Sequence, residues 1–139
     1  PVNFGRLRNP RIDSIWVALA GPGSNFFQAL FWAILLILLL GQGIDEKFFI
    51  SMAQAGITWN IGLLVFNLFP LPPLDGGRIL SSLLPARQSI ALGRLEPWGF
   101  FIVLALVFTG IIGSLWMEPL MAFFKWIIYL FTIPLQMLF

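Results

Sequence analysis

Two polar side chains, Asn67 and Asp75, stand out because they flank a proline-rich break at the end of a long apolar run. The stretch 67–78 reads NLFPLPPLDGGR, with three prolines, two glycines and one carboxylate. An ionised Asp near hydrocarbon costs about 2.5–3.5 kcal/mol on the scale measured by membrane insertion. Such a carboxylate needs a partner, and the pattern favours a metal cation bound by Asp75.

Each of these two residues has a second interpretation. The Asn67 amide carries donors and an acceptor, so it is suited to bind a peptide carbonyl or to stabilise an oxyanion. It is equally suited to cap backbone groups that the break leaves unpaired. Asp75, for its part, has a potential ion-pair partner in Arg78, one turn further along.

The composition is that of an integral membrane protein. Of the 139 residues, 59% are hydrophobic and 10% are charged, whereas a soluble domain carries about 25% charged residues. The net charge of +2 is too small to indicate a nucleic-acid partner. The sequence contains neither Cys nor His, which excludes disulfides and thiolate or imidazole metal ligands within it.

Long uncharged segments predict an all-α fold, a polytopic transmembrane helix bundle of about four helices in a single domain. Because about 20 residues of helix cross the hydrocarbon, each segment is long enough to span a membrane. A short extended segment near residues 1–7 is expected before them, since the N-terminal residues are too polar for a membrane helix. The predicted helices cover residues 14–40, 48–69, 97–117 and 119–139, and the proline-rich loop covers 70–78.

Prolines and glycines determine where we expect the helices to break. Proline lacks an N–H and disfavours helix at the residue before it, so the second helix should end near Phe69. Gly76 and Gly77 should then allow a tight turn. Residues 21–23 (GPG) should interrupt the first helix, and Asn25 on the next turn is placed to form a hydrogen bond across a helix interface.

The distribution of basic residues predicts the orientation in the membrane. Cytosolic loops of membrane proteins are enriched in Lys and Arg. The segments 1–13 and 70–96 hold six arginines, whereas 41–49 holds only Lys47. The loop around Asp75 should therefore face the cytoplasm in a multi-pass membrane protein. On this topology, Trp116 should lie at the outer interface. Lys125 should lie near the outer end of the last helix, where its stem could reach the headgroups.

These residues carry a resemblance to a known family. The stretch from Asn67 resembles the second metal-site motif, Asn-x-x-Pro-x-Pro-x-Leu-Asp-Gly, of the site-2 protease family of intramembrane zinc metalloproteases. Residues 20–25 (AGPGSN) are similar to the Ala-Gly-Pro-x-x-Asn of the family's preceding core helix, and residues 1–4 (PVNF) resemble the segment before that helix. The resemblance covers about residues 1–84, with the motifs in the family's order. The matching positions of the metal-site motif are Asn67, Pro70, Pro72, Leu74, Asp75 and Gly76.

The resemblance implies a set of roles. In this family, Zn²⁺ is held by two His of a His-Glu-x-x-His helix and by the Asp of the second motif, with the Glu as general base. Asp75 would then be a zinc ligand, Asn67 would position the substrate or steady the oxyanion, and Asn25 would be a minor substrate contact. The sequence has no His, so we expect the His-Glu-x-x-His helix upstream of Pro1. The chain would be a fragment that is inactive by itself.

The implied function is hydrolysis of a peptide bond in the transmembrane helix of a substrate, within the lipid bilayer of a bacterial inner membrane. The unwound substrate would pair as a strand with the segment near residues 1–7. Two other functions also fit a broken helix with a carboxylate. One is a segment of an ion or solute transporter or channel, and the other is a non-catalytic scaffold in which Asp75 pairs with Arg78.

Overall fold

The computed structural model describes residues 10–139, and this part of the chain is helical without strands. The extended segment expected near residues 1–7 lies outside the described residues. The prediction of an all-α helix bundle is confirmed. The helices are α1 (Pro10–Gly41), α2 (Lys47–Asn67), α3 (Asp75–Leu83), α4 (Ala86–Gly93), α5 (Glu96–Phe108), a π-helical segment (Ile112–Met117) and α6 (Glu118–Gln136).

Helix α1 is longer than the sequence indicated. It begins at Pro10 instead of residue 14, since the first N–H groups of a helix have no intrahelical partner and proline is therefore favoured there. The expected interruption at residues 21–23 is wrong, because α1 continues through Pro22 to Gly41. A proline inside a helix removes one backbone hydrogen bond, and membrane helices tolerate that loss where neighbouring groups satisfy the freed carbonyl.

The irregular segment between α2 and α3 is shorter than the predicted loop at 70–78. Helix α2 ends at Asn67, before the expected Phe69, and α3 begins at Asp75. Pro70 has no N–H to continue the helix, and the N–H of Phe69 bonds to the carbonyl of Phe66 at 3.1 Å. Asp75 therefore belongs to the first turn of a helix and is not within a loop.

The second half of the chain turns at a different place from the one expected. The predicted boundary between residues 117 and 119 is continuous helix, whereas the chain reverses after Phe108 at Gly110, which has φ of +80°. Pro119 lacks the N–H that an α-helix would use, and the wider π turn directly before it accommodates the change. The N–H of Glu118 accordingly bonds to the carbonyl of Gly113.

The core lies between α1, α2 and α6. Small residues on α1 let the other helices approach closely, and Trp32 of α1 lies over Gly56 of α2 with no space for a side chain. The ring of Phe139 packs on Gly41, so the end of α6 lies beside the end of α1. The fully packed core side chains are Ala29, Ala33, Ile61, Leu64, Val65 and Ile128.

Three helical stretches within residues 10–139 are long and apolar enough to cross a membrane: Arg11–Gly41, Lys47–Asn67 and Ile112–Gln136. Helices α4 and α5 form a pair bent by 67°, and together they would make a fourth span. These apolar helices contact a lipid bilayer, and the protein is a multi-pass membrane protein.

Candidate functional site

Asp75 lies where the two sequence motifs meet. It is the first residue of α3 and is half-buried. Its carboxylate lies against Gly21 of α1, so closely that a methyl group at position 21 would be 3.3 Å from Asp75 Oδ2. Asn25 is half-buried one turn further along α1, on the same face as Gly21. Residues 20–25 and the start of α3 therefore lie side by side, although they are far apart in the sequence.

Two glycines at the start of α3 allow the irregular segment 68–74 to fold back on the helix. A Cβ at Gly76 would lie 2.0 Å from the carbonyl oxygen of Leu68. A Cβ at Gly77 would lie 2.2 Å from the backbone nitrogen of Pro72. Backbone atoms cannot yield as a flexible side chain does, so neither position accepts a side chain without moving the segment.

Helix α5 also packs against the segment 68–74, in addition to α3. Gly99 of α5 is buried against Pro72, and a Cβ at Gly99 would lie 1.7 Å from the Pro72 carbonyl oxygen. The segment 68–74 is thus held between α3 and α5 by contacts between backbones. This packing fixes the position at which the chain enters α3, and with it the position of the Asp75 side chain.

The end of α2 is held by a residue of the π-helical segment. The N–H of Phe69 bonds to Phe66, which leaves the carbonyl of buried Val65 without its usual helical partner. The indole Nε1–H of Trp116 donates to this carbonyl at 2.8 Å. The same indole stacks edge-to-face on Phe69, with ring centroids 5.3 Å apart. Trp116 is therefore a structural neighbour of the site and lies at the same end of α2 as Asp75, whereas the predicted topology puts these two residues on opposite sides of the membrane.

The electrostatics around Asp75 leave its charge incompletely compensated. Burial raises the pKa of the Asp75 carboxyl above its ordinary value, and the positive charge of Arg78 opposes that change. Arg78 is exposed, and within residues 10–139 it forms no ion pair with Asp75. The start of α3 also favours an anion, because the first N–H groups of a helix carry partial positive charge. The direct Asp75–Arg78 pair required by the scaffold interpretation is not formed.

Asn67 is the last residue of α2 and is half-buried. It lies at the opposite end of the segment 68–74 from Asp75. Within the described part of the chain, its side chain makes no hydrogen bond, and the same holds for Asn25. Asn67 therefore does not cap the freed backbone in this structure. The Trp116 indole instead donates to the carbonyl that is freed at Val65.

A polar cleft of about 340 Å³ adjoins Asp75 through the next residues of α3. Arg78 and Glu96 provide its charged groups, and Ser14, Ser81 and Ser82 provide hydroxyls. The side chain of Arg11 donates hydrogen bonds to the carbonyls of Ser82 and Leu84, which satisfies carbonyls at the end of α3. The cleft is lined by Ser14, Val17, Ala18, Pro72, Gly77, Arg78, Ser81, Ser82, Gly93 and Glu96.

An apolar pocket of about 330 Å³ lies on the other side of the segment 68–74. Leu74, next to Asp75, forms part of its wall, together with Pro73 and Phe66. Helix α5 supplies the facing side. The residues of α5 that line this apolar pocket are Phe100, Val103, Leu104 and Val107. The segment 68–74 thus has a polar cleft on one side and an apolar pocket on the other.

The residues described here do not by themselves form a metal centre. Within residues 10–139, no group of three or more His, Cys, Asp or Glu side chains is close enough to hold an ion. Asp75 suits one position in a zinc coordination sphere, because carboxylate oxygen is a regular zinc ligand. The other ligands would have to come from outside these 139 residues, since the sequence has no His and no Cys.

Sequence reasoning missed two contributors to the site, Trp116 and Gly99. Both act on residues far away in the sequence, since Trp116 bonds to Val65 and Gly99 contacts Pro72. A glycine inside the apolar run 97–108 was a signal of close packing, but it did not identify the partner. Nothing in the sequence around Trp116 distinguishes it from a membrane-interface tryptophan.

Comparison with known proteins gives one family. Residues 44–110 match the model of peptidase family M50. The chain is also similar to three curated bacterial proteins that bear the name "putative zinc metalloprotease". They are YwhC of Bacillus subtilis (35% identical over 126 residues), Rip2 of Mycolicibacterium smegmatis (32% over 114 residues) and Rip3 of Mycobacterium tuberculosis (29% over 136 residues).

These similarities cover most of this chain but only part of each relative. The alignments include 87%, 78% and 90% of this chain for YwhC, Rip2 and Rip3, respectively. They include 57%, 41% and 33% of the relatives' own lengths. No solved structure matches the chain.

Proposed function

The match over residues 44–110 makes this chain a member of peptidase family M50, the site-2 protease family, and we propose that it contributes Asp75 to an intramembrane zinc endopeptidase site. The observation that carries the proposal is the contact between Asp75 and Gly21, which joins the two family-like motifs around one half-buried carboxylate. The relatives YwhC and Rip2 bear names that include zinc metalloprotease.

Asp75 is the residue of this chain that would hold the metal. Its carboxylate is half-buried, lacks an ion pair within residues 10–139 and lies at the positive end of α3. A bound Zn²⁺ supplies Lewis acidity toward a carbonyl and lowers the pKa of its bound water. Two His and a Glu from outside these 139 residues would complete the centre, so the 139 residues alone would be inactive.

Asn67 and Asn25 would act on the substrate. Both amides are half-buried and have no hydrogen bond within the described residues, so both retain donors for a peptide backbone. Asn67 precedes the segment 68–74, and its amide is suited to hold a substrate carbonyl or a developing oxyanion. Asn25 would make a secondary contact from α1.

The substrate would be a transmembrane helix of another membrane protein. A helical peptide bond is shielded by its own hydrogen bonds, so the substrate must unwind before hydrolysis. The polar cleft beside Asp75 would give water access, and the apolar pocket beside Leu74 would receive an apolar side chain. The excess of arginine on either side of α3 favours an orientation in which Asp75 lies toward the cytoplasm of a bacterial inner membrane.

The test is cleavage of a model transmembrane substrate by the full-length protein in proteoliposomes. We expect Asp75→Ala to abolish cleavage while the protein still inserts and retains its helical content. Asp45→Ala is the matched control, because Asp45 is an exposed carboxylate in the turn before α2, and it should keep wild-type activity. Full activity in Asp75→Ala would contradict the proposal, and ion flux that depends on Asp75 without peptidase activity would favour a transporter.

A further inference from the structure

Trp116 contacts the end of α2 at two points, and Asn67 lies between them in the sequence. The indole Nε1–H donates to the carbonyl of Val65 at 2.8 Å, and the indole ring stacks on Phe69 with an interplanar angle of 89°. Asn67 is two residues from each of these contacts. A single side chain, 51 positions after Val65, therefore holds the backbone on both sides of Asn67.

The hydrogen bond from Trp116 acts at the point where the regular bonding of α2 stops. The carbonyl of Leu64 still has its helical partner, since the N–H of Leu68 bonds to it at 3.1 Å. The next carbonyl, at Val65, loses its partner because the N–H of Phe69 turns to Phe66. A buried carbonyl needs a donor. Without the indole, the Phe69 N–H would compete for Val65, and the backbone around Asn67 would shift.

Trp116 is itself held by the core and by the π turn in which it lies. Its ring packs on the core cluster that contains Val65. The N–H of Glu118 bonds to the carbonyl of Gly113, so this turn has one residue more than an α turn. One extra residue changes the direction of a side chain by about 100° relative to the rest of the helix. The direction of Trp116 toward α2 therefore depends on the π turn.

We propose that Trp116 is a positioning residue for the substrate contact made by Asn67. The inference rests on the proposed function, because it needs a peptide substrate for Asn67 to hold. The Asn67 amide makes no hydrogen bond within residues 10–139, so its place is set by its backbone and by packing. Trp116 holds that backbone and does not touch the substrate. Asp75 is positioned separately, by the close backbone contacts at Gly76 and Gly77.

The test is removal of the indole N–H alone. In the full-length protein, Trp116 is replaced by benzothienylalanine, in which a sulfur atom takes the place of the N–H while the fused ring remains. Cleavage of the model transmembrane substrate should fall by about fivefold to twentyfold, which is less than the hundredfold or so for a displacement of 1 Å. Zinc affinity should stay within about twofold of the wild type, because Asp75 does not move.

The matched control is the same replacement at Trp126. This tryptophan belongs to the same membrane span, is 56% exposed and makes no hydrogen bond within residues 10–139. Its rate should equal that of the wild type. Trp116→Phe is a second variant that keeps an aromatic ring and loses the donor, and its rate per folded molecule should fall in the same way.

A double-mutant cycle with Asn67→Ala separates positioning from a general structural role. Once the Asn67 amide is absent, benzothienylalanine at position 116 should lower the rate by less than about twofold. In the wild-type background, it should change the same kinetic parameter, kcat or KM, that Asn67→Ala changes. An equal fall in both backgrounds would overturn the inference, because Trp116 would then act by another route. An unchanged rate in the wild-type background would overturn it as well.

The proposed function can fail separately. Cleavage that survives Asp75→Ala would contradict the peptidase site and, with it, this inference. If Asp75→Ala is inactive but Asn67→Ala cleaves at the wild-type rate, the role of Asp75 stands and the positioning role of Trp116 is overturned.

Discussion

The turns at the two ends of α2 each have a glycine and a carboxylate in them or directly after them, but they are built differently. The first turn, between Gly41 and Lys47, contains Gly43 at φ of +74° with no atom within 4 Å of a Cβ built there. Its carboxylates, Asp45 and Glu46, are exposed. The second turn, at 68–74, is packed on both sides and ends at a half-buried carboxylate.

The difference between these turns shows how packing of the backbone can hold a carboxylate in a defined place. In the first turn, glycine is needed only for the backbone conformation, and the acidic side chains are exposed. Around the second turn, Gly76 and Gly77 of α3 and Gly99 of α5 allow close approach between backbones. That packing holds the start of α3 in place, with the Asp75 carboxylate against Gly21 of α1.

The strongest test of this contrast is replacement of Gly43, which lies in the first turn, and of Gly77, which packs on the second turn from α3. Gly77→Ala would force a Cβ to within 2.2 Å of the Pro72 nitrogen, and we expect it to destabilise the protein by about 3 kcal/mol or more. Gly43→Ala meets open space and should cost about 1–2 kcal/mol for its positive φ. Reversible unfolding in mixed detergent micelles measures both, and equal losses would refute the difference in packing.

The second turn could be predicted from the sequence, whereas the residues that hold it in place could not. Pro70 and the glycines after Asp75 identified a break in the helix, because their backbone preferences are local. The supports come from Gly99 and Trp116, whose partners depend on how α5 and α6 return to the site. The turn that we predicted near Pro119 is wrong for a similar reason. A π-helical segment before Pro119 lets the helix continue through this proline, and the chain turns at Gly110 instead.

The candidate site could also be predicted only in part, since the sequence identified its residues but not their contacts. Asp75 and Asn67 were selected from a motif, and the structure puts them at the two ends of one packed segment. Their roles as a metal ligand and as a substrate contact stay predictions. The contact between Asp75 and Gly21 could not be derived from spacing, because it depends on how α3 packs against α1.

Trp116 offers a smaller test of the support at the second turn. Trp116→Phe keeps an aromatic ring near Phe69 but removes the donor to the carbonyl of Val65, which is fully buried. An unsatisfied buried carbonyl costs about 1–3 kcal/mol, so we expect a loss near 2 kcal/mol in the same unfolding assay. Trp59→Phe is the control because Trp59 is 72% exposed, and it should change little. Similar losses in both variants would show that the hydrogen bond is unimportant.

Gly21 gives the smallest expected effect. Gly21→Ala adds a methyl 3.3 Å from Asp75 Oδ2, which should move the carboxylate by a few tenths of an ångström without unfolding the protein. Cleavage by the full-length protein should fall by about threefold to tenfold, since misplacement by 1 Å costs about a hundredfold. Gly23→Ala meets no atom within 4 Å and should keep wild-type activity. An unchanged rate in Gly21→Ala would mean that α1 does not position the carboxylate.

Zinc binding by the full-length protein tests the assignment of Asp75 most directly. Purified samples are dialysed against buffered free zinc, and bound metal is measured by mass spectrometry. We predict about one zinc per wild-type molecule and the same for Asp45→Ala, with an affinity at least about tenfold weaker for Asp75→Ala. If Asp75→Ala binds zinc as tightly as the wild type, Asp75 is not a ligand and the account is wrong.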